Sequence, residues 1–323
     1  RLVGSEMCIR DRDTADCEVL LINDGSKDGS LSILREYERK YQNVRVIDKV
    51  NEGVSTTRNR GIDECRGEYF YFMDADDILH PQLLSLLRKE ILEKYPDIVV
   101  WDFTTFYTNP KFVLIPSEIK TEDVQNRHQE AFNYLMANGS AVSLCSKAIR
   151  RSRVGEIIRL DPTMTYGEDM FFSWKAILVA DSIRYIRCPL YYYRQSGRGA
   201  TNHFHPNLYE HYRKAFDDIC LFVKEQGIAN VNVLASIDYH FACRIPALTS
   251  MEIKAPYSRK NQIDHLQYVL QDEYIRRGLS SSLQLSGKLF TLARNNEVSA
   301  MLKIARTDVM KTKLLYPLKK ILK

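Results

Sequence analysis

Tyr69-Phe70-Tyr71-Phe72-Met73-Asp74-Ala75-Asp76-Asp77 is the stretch on which the fold turns. Its first five residues are bulky and mostly aromatic, the composition of a buried strand. Three carboxylates within the next four residues cannot enter a core uncompensated, because burying them costs several kcal/mol each or forces protonation. They must be solvated, paired or bound to a cation. In an α/β sheet the carboxyl end of a strand is where ligands sit, and hard carboxylate oxygens there suit Mg²⁺ or Mn²⁺ carrying a diphosphate. The plainer alternative is an Asp-rich turn in which Asp76 or Asp77 caps the next helix.

Working outward, Glu18–Ile22 is an apolar β-favouring run that ends in Asn23-Asp24-Gly25-Ser26. Asp28-Gly29-Ser30 supplies helix-cap chemistry, and Leu31, Ile33, Leu34 and Tyr37 give a helical stripe to about Tyr41. Val44–Ile47 is the next strand, Asn51-Glu52-Gly53 a turn, and Val54 to Cys65 a helix closed by Gly67. Pro81 opens a helix with Leu83, Leu84, Leu87, Ile91 and Leu92 on one face. Asp97–Trp101 is again a strand. This alternation predicts a mostly parallel sheet covered by helices. The pattern loosens over residues 109–127, and a helix is expected over Gln129–Ala137. Tyr166-Gly167-Glu168-Asp169 introduces an apolar helix, Ile183–Ile186 a short strand, and Leu190-Tyr191-Tyr192-Tyr193-Arg194 an aromatic and then basic segment. From about His205 the chain reads as helices.

Composition narrows the class. Hydrophobic residues at 45% and charged residues at 27% are ordinary for a globular chain of 323 residues. A net charge of +5 without a concentrated basic stripe gives no reason to expect a nucleic-acid partner. The seven cysteines are scattered, odd in number and never spaced C-x-x-C. That argues for reduced thiols and against a disulfide framework or a zinc site. No apolar run approaches the roughly 18 residues of a membrane span, so the expected location is cytoplasmic.

Five segments together resemble the family 2 glycosyltransferases of the GT-A fold. In order they are Ile22–Ser30, Asn51–Gly61, Gly67-Glu68-Tyr69 leading into Asp74–Asp77, Gly167-Glu168-Asp169, and Leu190–Arg194. Any one of them is weak; the ordered set is specific and covers about Cys17 to Thr201. The resemblance implies an α/β GT-A fold, a mixed sheet flanked by helices, with a helical extension after it. It also implies a metal-dependent, inverting transfer of a sugar from a nucleotide-sugar, of which a UDP-sugar is the expected form, to a hydroxyl of a polysaccharide or glycolipid.

Carried over residue by residue, Asp24 would accept hydrogen bonds from the uracil or ribose, and Arg58 would sit near the diphosphate. Asp74 and Asp76 form the D-x-D element. Asp76 is the preferred direct ligand of Mn²⁺ or Mg²⁺, and Asp74 contacts the ribose or the metal's water shell. Asp77 caps the following helix. Asp169 is the expected general base, with Glu168 orienting it or binding acceptor. The competing role for both is a helix first turn that favours the dipole. Tyr191, Tyr192 and Tyr193 read as packing more than as sugar platforms. Arg194 reaches the phosphates or caps a strand end. His203 and His205 lie where some relatives carry a third metal ligand, although surface histidines are the commoner outcome.

The family pattern also implies an apolar strand and a helix ahead of the Asp24 strand. Here only Asp13–Asp16 separates Cys17 from residues 1–12, which resemble translated adapter sequence. The expectation is therefore a non-native 1–12, a GT-A domain over 13–204 lacking its first strand, and a helical extension over 205–323. Leucines and lysines in 311–323 would suit peripheral contact with an anionic membrane face, or docking on the protein itself. Two further readings stay in view: a non-catalytic binding module, and a sugar-phosphate nucleotidyltransferase. The latter is disfavoured because Gly25–Ser30 is acidic and short where a basic Gly-rich loop is needed.

Overall fold

The computed structural model describes residues 16–107, 110–113, 120–124, 128–137, 143–164, 166–195, 204–281, 283 and 285–308. Expectations that concern residues 1–12, His203 and the tail 311–323 lie outside the described residues. Contacts divide the chain into two compact units, one ending at Gln195 and the other beginning beyond it.

The first unit opens with a βαβ element: β1 (Val19–Asp24), α1 (Ser30–Lys40) and β2 (Val44–Lys49), followed by α2 (Val54–Glu64). The two strands are parallel, in register from Val19↔Val44 to Asp24↔Lys49. On β2 the buried residues alternate, Val44 and Val46 facing inward as a period of two requires.

A separate mixed sheet contains β3 (Tyr69–Phe70), β4 (Ile78–Leu79), β5 (Ile98–Phe106), β6 (Thr121–Val124), β7 (Lys147–Arg150) and β8 (Ile183–Arg194). Its order is β3-β7-β5-β8-β4, with β6 also on β8. Three helices belong with it: α3 (Leu83–Lys94), α4 (His128–Ala137) and α5 (Glu168–Val179). Only β5 and β8 run parallel; the other pairings are antiparallel. Ile98, Val99, Val100 and Trp101 of β5 are wholly buried, which accounts for a continuous apolar run where a one-sided strand would alternate. Leu83 and Leu87 of α3 join Trp101, Ile186, Leu190 and Tyr191 in one core cluster. Phe132 of α4 meets Trp174 of α5 edge to face, with centroids 5.2 Å apart.

Three expectations are corrected. The sheet is mixed, as the family resemblance implies, and not mostly parallel: β4, β6 and β7 are antiparallel strands of two to four residues, too short to give a periodic signal. The strand expected over Tyr69–Met73 stops at Phe70, because its ladder with β7 ends at Phe70↔Ile149; Tyr71, Phe72 and Met73 pack on the core without strand pairing. Asp77 does not cap a helix. It is wholly buried and is followed by β4, while α3 begins only at Leu83.

The second unit is helical: α6 (Leu208–Glu225), α7 (Val231–Ala242), α8 (Ile245–Lys254), α9 (Arg259–Leu270), α10 (Glu273–Leu279), α11 (Lys288–Arg294) and α12 over residues 298–308. Phe216 and Phe241 stack at 3.9 Å in its core. Among the described residues no helix is long and apolar enough to cross a membrane.

Candidate active site

The acidic loop is closed by a backbone bond from the Asp77 N–H to the Asp74 carbonyl, 3.1 Å. β8 anchors it from the other side. The Tyr191 hydroxyl donates to Asp77 Oδ2 at 2.5 Å, and the Arg194 N–H donates to Asp77 Oδ1 at 2.7 Å. Tyr191 Oη also accepts from the Asp74 N–H at 3.2 Å. Two donors explain how a carboxyl group tolerates complete burial; even so, burial pushes Asp77 up to about 6. The Arg194 guanidinium lies over the Phe106 ring, 4.6 Å from its centroid, and its Nε donates to the Asp76 carbonyl at 2.7 Å. Asp76 itself is exposed, and among the described residues its carboxylate has no hydrogen-bond or ion-pair partner.

Arg58 of α2 is the hub. Its guanidinium forks between Asp74 Oδ1 at 3.1 Å and Glu168 Oε1 at 3.0 Å. The Arg58 and Glu168 side chains are each 13% exposed, Asp74 42%. Burial works against the Arg58 charge, but the surrounding carboxylates of Asp74, Glu168 and Asp169 outweigh it and its proton is held more tightly than usual. A planar, permanently charged fork is the group that can join two carboxylates in this way.

Glu168 and Asp169 begin α5, and Gly167 before them sits at φ 84, in the left-handed region that favours glycine. That turn delivers both carboxylates to the helix N-terminus, whose dipole favours their ionised form. Burial nevertheless raises both above the usual carboxylate range: Asp169 adds to the rise of Glu168, and Arg58 opposes it at each. Asp169 Oδ1 accepts from the Met170 N–H at 2.7 Å. The sequence expectations Arg58, Asp74, Glu168 and Asp169 thus meet in one cluster, with Asp76 and Arg194 on the adjoining loop and strand end.

Asp24 holds the turn that precedes α2. Its two oxygens accept the N–H groups of Glu52 at 2.9 Å and Gly53 at 3.0 Å, and it pairs with Lys49. Despite burial, Lys49 and the Glu52 N–H hold it below the usual range. Gly53 precedes α2, so Asp24 fixes the turn that leads into the helix carrying Arg58. The loop comes so close that a Cβ at Gly25 would stand 2.6 Å from the Asn51 nitrogen. His205 belongs to the second unit, where its N–H donates to Met251 Sδ.

Three participants escaped the sequence reading. Lys49, the partner of Asp24, looks like any polar residue at a strand end. Tyr191 reads as packing, which its burial bears out, yet its hydroxyl also organises the acidic loop. Lys147 is wholly buried; the apolar residues on both sides, Leu144-Cys145 and Ala148-Ile149, were the signal available.

A mixed sheet with an acidic loop and a Glu-Asp helix start, followed by helices, is the GT-A class of glycosyltransferase fold. The solved structure of S. aureus TarS 1–349 in complex with UDP-GlcNAc superposes with a TM-score of 0.68, at 20% identity, over 95% of this chain and 86% of that one. Residues 8–157 match the model for glycosyl transferase family 2, and the amino-terminal unit belongs to that family. EpsH of Bacillus subtilis (strain 168) is 27% identical over 224 residues, 68% of this chain and 64% of EpsH, somewhat under two thirds of its length. EpsJ, an uncharacterized glycosyltransferase of the same strain, is 26% identical over 285 residues, 82% of this chain and 78% of that protein.

Proposed function

We propose that this protein moves a sugar from a nucleotide-sugar, a UDP-sugar in the first instance, to a hydroxyl of a polysaccharide or glycolipid acceptor, with inversion at the anomeric carbon. The observation that carries this is the Arg58 fork, which gathers Asp74 and Glu168 beside Asp169. The UDP-GlcNAc in the TarS complex supports the choice of donor.

In this reading Asp169 accepts the proton of the acceptor hydroxyl as its oxygen bonds to the anomeric carbon and the bond to the UDP oxygen breaks on the opposite face. A carboxylate raised above its ordinary range is a stronger base, and a helix N-terminus favours its ionised form. Glu168 is held by Arg58 and orients the acceptor side. Arg58 and Arg194 offset the charge that grows on the departing diphosphate.

A divalent cation fits what the loop offers. Among the described residues no three His, Cys, Asp or Glu side chains converge as a metal set, but Mg²⁺ and Mn²⁺ beside a diphosphate need only one or two protein carboxylates. Asp76, exposed and without a partner among the described residues, would be the direct ligand, and Asp74 would touch the ribose or the metal's water shell. When bound, the cation neutralises leaving-group charge.

Thermal and urea unfolding with UDP provide the test. At a hundredfold over its dissociation constant UDP should add about 2.7 kcal/mol, and only when Mn²⁺ or Mg²⁺ is present. The same stabilisation in excess EDTA, or its survival in Asp76→Ala, would remove the metal from this reading.

A further inference from the structure

Lys147 is 0% exposed, an unusual position for an ammonium group. It lies on β7, just after the 3-10 turn Leu144–Ser146. Its Nζ donates to the Ser143 carbonyl and to Ser173 Oγ, the latter at 3.2 Å. Ser173 Oγ donates in turn to the Asp169 carbonyl at 2.7 Å, one helical turn back along α5. A methionine would fill the same volume without the penalty of desolvating a charge, so the ammonium calls for an electrostatic explanation.

We propose that Lys147 is a positioning residue for Asp169, a buried counter-charge tied through Ser173 to the first turn of α5. The inference rests on the reading of Asp169 as general base. Burial pulls Lys147 down to about 7, while ionised Asp169 pulls it back up. Lys147 in its turn opposes the rise that burial imposes on Asp169. Other groups face the same carboxylate: Arg58 from α2, Asp74 from the acidic loop, Glu168 on its own helix, and Tyr193 from β8. Cys145 of the 3-10 turn faces Asp169 and Lys147 alike. Burial pushes the Cys145 thiol and the Tyr193 hydroxyl up, so both stay neutral near pH 7. Arg58 is already divided between Asp74 and Glu168. Lys147 adds a second positive charge to that of Arg58, acting on Asp169 from the side of the sheet.

Carboxyl ¹³C NMR of the full chain reads this directly, with the Asp169 resonance identified by its loss in Asp169→Asn. Lys147→Met should raise the Asp169 titration midpoint by about one pH unit or more, and Lys147→Arg, which keeps the charge, should restore it. An unchanged midpoint in a cooperatively melting Lys147→Met protein overturns the proposal, since a purely structural lysine would leave it unmoved. The reciprocal measurement needs no change at Lys147. The lysine ¹³Cε resonance that titrates near neutrality should move to lower pH in Asp169→Asn, and its staying in place overturns the proposal equally. UDP release from UDP-GlcNAc by Asp169→Asn separates the two ideas. If turnover falls and neither midpoint moves, only the role of Lys147 is lost; if turnover survives, the base assignment fails and takes this inference with it.

Discussion

At the scale of single residues Arg58 is the joint of the site, bridging Asp74 and Glu168. Replacing it with methionine leaves Glu168 buried without its partner and frees Asp74, which is exposed enough to be solvated. The expected loss of stability is therefore about 2 kcal/mol, below the figure for a wholly buried pair. UDP affinity should fall as well. Urea unfolding and calorimetric UDP titration measure the two, and an Arg58→Met protein matching the parent in both would refute the hub.

Asp24 offers a test with a sign. Its folded pKa lies below the ordinary value, so the stability it contributes is present above pH about 4 and fades as pH falls through the folded pKa. Asp24→Asn keeps one acceptor and should cost about 1 to 2 kcal/mol at pH 7. The gap should narrow toward pH 3; a gap constant from pH 7 to 3 would show that charge is not involved. Most of these residues were legible beforehand because carboxylates at strand and helix ends need partners. What pairing they find was not legible. Asp24 and Lys49 are 25 positions apart, and nothing local in the chain says that Asp24 faces the turn before α2.

Elements were legible in proportion to their length. β1, β2 and β5 carry apolar runs, and α1, α3 and α5 carry stripes or N-terminal signals strong enough to survive without tertiary context. β4, β6 and β7 hold two to four residues each, and only their neighbours in the sheet define them. β8 shows the same effect differently. Its two recognisable halves, Ile183–Ile186 and Leu190–Arg194, form one strand, and its register with β5 shifts around Asp102. In the second unit the decisive element contact is small. A Cβ on Gly278 of α10 would stand 2.2 Å from the Asp238 carbonyl oxygen and 2.8 Å from Ala242 Cβ on α7. Arg277 beside it pairs with Asp238 at 2.6 Å. Gly278→Ala should force these helices apart and cost about 1 to 3 kcal/mol. Circular dichroism during urea unfolding checks it, and an unchanged midpoint would mean that the helices do not cross this closely.

At the scale of the molecule, the site is a product of tertiary folding within the first unit. Arg58 follows the parallel β1–β2 pair, whereas Asp74, Glu168 and Asp169 belong with the mixed sheet, and the Arg58–Glu168 bridge spans 110 positions. The acidic cluster therefore exists only when both parts fold together. Motif order made the GT-A class legible, but the local pattern could not reveal that Arg58 would be the joint. In the proposed function this joint prepares Asp169 to take a proton from the acceptor. UDP release from UDP-GlcNAc by Asp169→Asn tests it most directly: turnover should drop by about 10² to 10⁴ while calorimetric UDP affinity stays near that of the parent, and a drop of less than about tenfold would contradict the account.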